Sequence, residues 1–325
     1  MTRGKQIFVV ISILLTALGF GLVFYGYQKS QDKKTSGNIV LSVIKGITEP
    51  NGFKPVDISK CDDWKAQNCS KRIRFIQTND KGEPDSKGQN YAILVDPTSP
   101  NLDFKVTVPL ADQIYAKNEQ AKLLQNYQNK NFEQLINDQN SLLDGKKPLA
   151  AINADYIDTL NNPQGLNISH GVEYSGDFVN IRSSFAISGG EFKNRKASIQ
   201  IGRKSNLNDN FNTVGGNGRF YNNGVFEDIC TKLGTYACQE STNRSMGAIT
   251  STGMLIFLVH QSGDAKLLPN QFDDLLEGIA KKFDLGTIQD ALLFDGGKSP
   301  AIMYDSKIYT QNGGPIGSAL LIYEV

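Results

Sequence analysis

Histidine is nearly missing from this chain: its 325 residues include two, His170 and His260. A histidine-rich zinc centre is therefore excluded. A Ser-His-Asp hydrolase lacks its usual setting, because no serine sits in a G-x-S-x-G turn. Excess charge of either sign is also missing. The 34 basic and 33 acidic side chains leave a formal net charge of +1, which removes the electrostatic case for nucleic acid as a partner. There is no internal repeat and no low-complexity tract. Gly297-Lys298-Ser299 is not the end of a P-loop, because Leu292 stands where its first glycine should be. The glycine-rich stretch Val214-Gly215-Gly216-Asn217-Gly218 has no strand-then-helix setting for a dinucleotide and reads as a loop.

The composition is 39% hydrophobic and 21% charged, ordinary for a globular protein with an adequate core. Thirty-one glycines point to many tight turns and a strand-rich fold. Residues 7–27 (IFVVISILLTALGFGLVFYGY) carry no charge. At ~1.5 Å per residue they suffice to cross a bilayer core of about 30 Å. A cleaved signal peptide and a buried helix compete with this reading. The run is long for the first and lacks the polar face of the second, so an uncleaved anchor is expected.

Four cysteines form two local pairs of equal spacing, Cys61 with Cys69 and Cys230 with Cys238. In an anchored chain they suggest two small disulfide loops on the oxidising side. Metal ligation and buried free thiols are the rivals, but neither pair has C-x-x-C spacing. The expected layout is a cytoplasmic stub over residues 1–6, an anchor over 7–27 and a polar linker over 28–38. A lead-in segment with the first cysteine pair (39–70) and an extracytoplasmic domain (71–325) follow. The membrane is then a partner through the N-terminal helix.

From Arg72 the pattern sharpens. Runs at 72–76, 91–95 and 104–108 alternate as strands do, with turns at Asp96-Pro97 and Ser99-Pro100-Asn101. Residues 118–143 and 271–283 show helical periodicity. Apolar strands are expected at 149–152, 254–259, 291–294 and 320–323, with two alternating runs within 178–202. Strands interleaved with helices predict a mixed α/β domain (strand-rich α+β), a mixed sheet with flanking helices.

Two strand ends carry polar groups. One ends in Asn153-Ala154-Asp155, the other in Asp295-Gly296-Gly297-Lys298-Ser299, with Asn243-Arg244-Ser245 between them in sequence. Each has a bland reading as a turn or surface residue. Together they offer two carboxylates, an amide, a guanidinium and a glycine turn, a set suited to a sugar phosphate. Arginine grips phosphate with paired hydrogen bonds, glycine amides can face the same anion, and carboxyl groups can move protons. No metal site is expected, although Asp155 and Asp295 could share calcium or magnesium. Sequons at Asn68, Asn167 and Asn243 matter only in a glycosylating cell.

The runs AAINADY (150–156), NPQGLNISHG (162–171), NRSMG (243–247) and LLFDGGKS (292–299) resemble, in order and spacing, the motifs of the phosphodiester glycosidase family. The resemblance spans roughly 71–325. It implies hydrolysis of a sugar, of N-acetylglucosamine type, from an anomeric phosphodiester on a glycan or surface polymer. It also implies catalytic roles for Asp295, Asp155 and Arg244, and substrate contacts by Asn153, Gly296, Gly297, Ser299 and Lys298. The chain departs from the family pattern at Lys298 and Pro300, where glycine and serine are usual, and at Ser245 and Met246. A catalytically silent glycan-binding relative is the alternative, and an assembly protein with an unused cleft is a third reading.

Overall fold

Six-residue stretches of alternating or wholly apolar side chains form strands here because each can be covered on one face or both. The computed structural model describes residues 72–110, 127–142, 146–175, 182–204, 206–228, 230, 242–262 and 267–325. In chain order the strands are β1 (Ile73–Thr78), β2 (Asn90–Val95), β3 (Leu102–Thr107), β4 (Ala150–Asn153), β5 (Ile168–Ser169) and β6 (Val172–Glu173). They continue with β7 (Ser183–Ile187), β8 (Ala197–Ile201), β9 (Asn212–Gly215), β10 (Arg219–Asn222), β11 (Val225–Phe226) and β12 (Arg244–Thr250). The last are β13 (Leu255–His260), β14 (Ile288–Leu293), β15 (Ala301–Tyr304), β16 (Lys307–Gln311) and β17 (Ala319–Glu324). Helix α1 (Phe132–Leu142) lies between β3 and β4, and α2 (Phe272–Lys282) between β13 and β14.

The strands make a seven-stranded sheet (β1-β2-β13-β12-β14-β10-β11) and two five-stranded sheets (β16-β15-β4-β17-β3 and β6-β5-β9-β7-β8). Every pairing described is antiparallel, so the mixed sheet expected from sequence is replaced by three antiparallel ones. The mixed α/β character with flanking helices holds.

Period-two alternation divides the core into layers. In β13, Ile256 and Leu258 face α2, where they meet Phe272, Leu275, Leu276 and Ile279. Leu255, Phe257 and Val259 face the other way, onto Phe104, Ile152 and Leu320 of the second sheet and Phe185 and Val214 of the third. The far side of the second sheet is covered by Phe132, Leu135 and Ile136 of α1, packed on Leu321 and Tyr323. Helix α2 carries Asp273 and Asp274 in its first turn and Lys281 and Lys282 in its last, matching its dipole.

The expected anchor is corrected. Among the described residues no helix is long and apolar enough to cross a membrane. Helices α1 and α2 have 11 residues each, about half of the ~20 that a bilayer core demands, and both spend their apolar side on a sheet. Residues 7–27 lie outside the described residues, as do the stub, the linker and the lead-in segment. The membrane partner and the single-pass extracytoplasmic placement are therefore set aside.

The cysteine expectation also changes. No disulfide joins two described residues. Cys230 is disulfide-bonded, while Cys61, Cys69 and Cys238 lie outside the described residues, so neither loop of the expected pair is itself described. The helix expected over 118–143 is described only as α1, and 118–126 lie outside the described residues.

Candidate active site at the junction of two sheets

The chain leaves β14 of the first sheet at Leu293 and enters β15 of the second at Ala301. The segment Asp295–Ser299 is thus a crossing between sheets rather than a hairpin turn. Asn153, at the end of β4, fastens it. Its Nδ2 donates to the Asp295 carbonyl at 3.0 Å, and its Oδ1 accepts from Ser245 Oγ at 2.6 Å and from the Ala301 N–H at 3.0 Å. The Asp295 N–H donates to the Ala154 carbonyl at 2.7 Å. Asn153 is fully buried, and these contacts use its carbonyl oxygen and one amide hydrogen in holding the site together.

Asp155 is fully buried as well. Its Oδ1 accepts the Tyr156 N–H at 2.8 Å, and its Oδ2 accepts the Gly165 N–H and Asn167 Nδ2, both at 2.7 Å. Asn167 Oδ1 in turn accepts the Gly215 N–H at 3.2 Å. Burial raises the Asp155 carboxyl to about 6, overriding the three donors that pull it down. The close packing needs glycine. A Cβ on Gly215 would lie 2.5 Å from Asp155 Cγ and 2.6 Å from its Oδ1. Gly215→Ala is expected to push the carboxylate off its donors and to cost about 1–3 kcal/mol in chemical denaturation. Wild-type stability in that variant would show that Asp155 has room to move.

Asp295 is half-buried, and so has the exposure that Asp155 lacks. Burial raises its carboxyl to about 7; hydrogen bonds from Ser299 and the Gly296 N–H oppose the rise, and the charge of Asp155 adds to it. Beside it lie Tyr156 and Arg244. The Tyr156 hydroxyl donates to the Phe294 carbonyl at 3.0 Å. Its pKa is pushed up to about 12 by burial and by Asp295. Arg244 opens β12 and is 8% exposed. Its guanidinium lies against Gly296, where an added Cβ would sit 2.8 Å from Nη1. Burial lowers the Arg244 pKa, and Tyr156 and Asp295 act to restore it.

The glycine turn works differently from the expected phosphate cradle. The Gly296 N–H is used by the Asp295 carboxylate, and the Gly297 N–H donates to the Asn243 carbonyl at 2.9 Å. Gly297 serves the bend itself, with φ +68°. Ser299 is buried, its Oγ donating to the Pro315 carbonyl at 3.1 Å. Lys298 is exposed, and its carbonyl accepts the Gly314 N–H at 2.8 Å.

The shared cation finds no fit. Asp155 has its oxygens filled by N–H donors, and among the described residues no group of three or more His, Cys, Asp or Glu could hold a metal ion. The histidines are engaged elsewhere. His260 is fully buried at the end of β13, with Nδ1 2.8 Å from Asn90 Oδ1, and burial holds its pKa down at about 4. His170 contacts the Phe104 carbonyl at 3.0 Å and Asp103 at 3.3 Å.

Residues 146–323, more than half of the chain, match the family model described as phosphodiester glycosidase. The chain belongs to the phosphodiester glycosidase family. The matched span holds every site residue named above. Among solved structures, the chain is similar to the zebrafish N-acetylglucosamine-1-phosphodiester alpha-N-acetylglucosaminidase catalytic domain auto-inhibited by its pro-peptide. The TM-score is 0.52 at 14% identity, over 78% of this chain and 83% of that one. A hypothetical protein from Synechocystis gives a TM-score of 0.52 at 13% identity, over 78% of this chain and 61% of that one. At these identities the likeness is one of fold. No curated protein sequence matches.

Within this phosphodiester glycosidase fold, sequence reasoning brought Asp155, Asp295, Arg244 and Asn153 to one place, and there they lie. It missed Tyr156, Asn167 and Gly215. Asn167 sits in the NPQGLN run and Gly215 in the glycine stretch dismissed as a loop, so both had a local signal.

Proposed function

We propose that this chain is a hydrolase that cleaves a sugar from an anomeric phosphodiester, with an N-acetylglucosamine-like sugar as the first substrate class to try. The observation that carries the reading is Asp295. It is a partly buried carboxyl raised to about 7, fixed beside a fully buried second acid and the guanidinium of Arg244. The family membership and the fold likeness to the zebrafish phosphodiester glycosidase support the same direction.

Asp295 has the exposure to meet a reacting group. A phosphodiester leaving oxygen is a weak base, so protonating it gains little. Water is a poor nucleophile, so deprotonating it gains more. A carboxylate with a pKa near neutrality suits that second task. Asp295 is thus the general base, Asp155 the buried group that orders the loop, and Arg244 the counter-charge for the phosphate. The reaction adds water across the anomeric carbon–oxygen bond and releases a free sugar and a phosphomonoester.

The expected pH profile follows. With Asp295 as base, kcat/KM rises about tenfold per pH unit below about 7 and levels off above it. A profile that falls through the same region would give Asp295 the acid role instead. The proposal itself is tested with purified protein and a chromogenic or UDP-linked sugar phosphodiester. Binding without turnover would favour the silent glycan-binding reading. One observation favours that reading: the Gly296 and Gly297 N–H groups are spent inside the protein.

A further inference from the structure

Arg182 immediately precedes β7 and plays no part in the chemistry described so far. Its guanidinium carbon lies 5.0 Å from the centre of the Tyr156 ring. Its backbone position is fixed by its neighbour. The Ser183 N–H donates to the Asn217 carbonyl at 3.2 Å, and the Ser183 carbonyl accepts the Gly216 N–H at 2.9 Å. Asn217 is itself tied into the site. Its N–H donates to the Leu293 carbonyl at 2.8 Å, and its side chain bonds Tyr156. So Arg182 stands where the glycine loop, the end of β14 and Tyr156 converge.

The head group is held there with a donor unspent. Among the described residues Arg182 Nη1 is buried with no hydrogen-bond partner, and no ion pair engages the side chain. Burying a charged donor without a partner is costly. The Tyr156 ring face compensates the charge in part but accepts no directed N–H bond at that atom. Around it stand Asp155, Asp295 and Tyr156, all of which feel its charge. Arg244 acts on the same tyrosine and packs on Gly296. Two guanidiniums therefore bear on one spot beside two carboxyl groups, with Arg182 Nη1 unpartnered among the described residues.

We infer that Arg182 is a phosphate-binding residue of this site, which with Arg244 grips the non-bridging oxygens of an anomeric phosphodiester or of the phosphomonoester product. The inference rests on the proposed function for the identity of the substrate, and on the buried, unpartnered Nη1 of Arg182 for the anion. It also answers how an anion could bind beside two acids once the glycine N–H groups are consumed. A guanidinium fork matches phosphate oxygens in a way that a lysine does not.

The test is calorimetric binding of inorganic phosphate to the whole protein, alongside KM and kcat on a sugar phosphodiester. Arg182→Met is expected to weaken phosphate binding roughly ten- to a hundredfold and to raise KM by a similar factor, with a normal unfolding transition. Arg182→Lys is expected to recover part of that loss, because it restores charge without the fork. Unchanged phosphate affinity in a folded Arg182→Met protein would overturn the inference. Were that variant unfolded, wild-type phosphate affinity in Arg182→Lys would overturn it equally. The two readings separate cleanly. Turnover of the sugar phosphodiester with phosphate affinity independent of Arg182 sinks the inference alone. Arg182-dependent phosphate binding without turnover sinks the proposed hydrolase alone.

Discussion

Asp295→Asn is expected to lower kcat by about 10²–10⁴ while leaving the fold intact and phosphate binding no weaker. The substitution is nearly isosteric, and the main-chain groups of residue 295 carry the structural load. Its N–H donates to the Ala154 carbonyl, and its carbonyl accepts from Asn153 Nδ2. None of these contacts involves the side chain. The side chain gives up only its contacts with Ser299 and the Gly296 N–H and its place near the solvent. A large kcat loss with an unchanged unfolding transition would therefore isolate proton transfer. Near-wild-type turnover in folded Asp295→Asn would remove Asp295 from the reaction and leave its partly buried carboxyl as that of a turn residue.

The site was half legible in the sequence, for reasons that differ residue by residue. Strands β13 and β14 and helix α2 announce themselves, because an unbroken apolar run or a three-to-four-residue stripe has few ways to be buried. The acids at the ends of β4 and β14 stand out because a charge closing an apolar strand must find a polar setting. Strand β12 was hidden. It is buried along its whole length, so the alternation that marks a strand is missing, and Arg244, Ser245 and Gly247 look like turn residues. Gly247 is needed there because a Cβ would lie 3.0 Å from both the Phe185 and Phe294 rings. The N–H groups of Gly296 and Gly297 were misread for a similar reason. A glycine pair after an acid announces a close backbone approach, but not whether a ligand or the protein itself approaches. Here it is Asn243 and the Asp295 carboxylate. Arg182 was illegible, because its role exists only once a strand from the third sheet is laid beside a tyrosine 26 positions earlier in the chain.

Asp155→Ala is expected to be the most destabilising single change in the site, at about 3–5 kcal/mol. Three buried donors, the Tyr156 and Gly165 N–H groups and Asn167 Nδ2, lose their acceptor together, and each orphaned donor costs about 1–3 kcal/mol. Asp155→Asn is expected to cost less. With its oxygen at the Oδ2 position it keeps the Gly165 and Asn167 bonds and turns an amide NH₂ onto the Tyr156 N–H alone. The pH dependence gives an independent reading of the same group. Its folded pKa, about 6, lies above the ordinary 3.8, so the folded state binds the proton more tightly than the unfolded chain does. Its contribution to stability is full below about pH 4 and is lost as pH rises to about 6, by up to ~3 kcal/mol for a shift of this size. Asp295 carries the same sign up to about 7, so the wild-type curve should decline across pH 4–7. In Asp155→Ala the lower part of that decline should disappear. A variant as stable as wild type, or a wild-type curve rising between pH 4 and 6, would mean that the carboxylate is stabilised in place by its donors more than burial opposes it. Asp155 would then be an acceptor charged throughout this range rather than an acid that burial keeps protonated up to about pH 6.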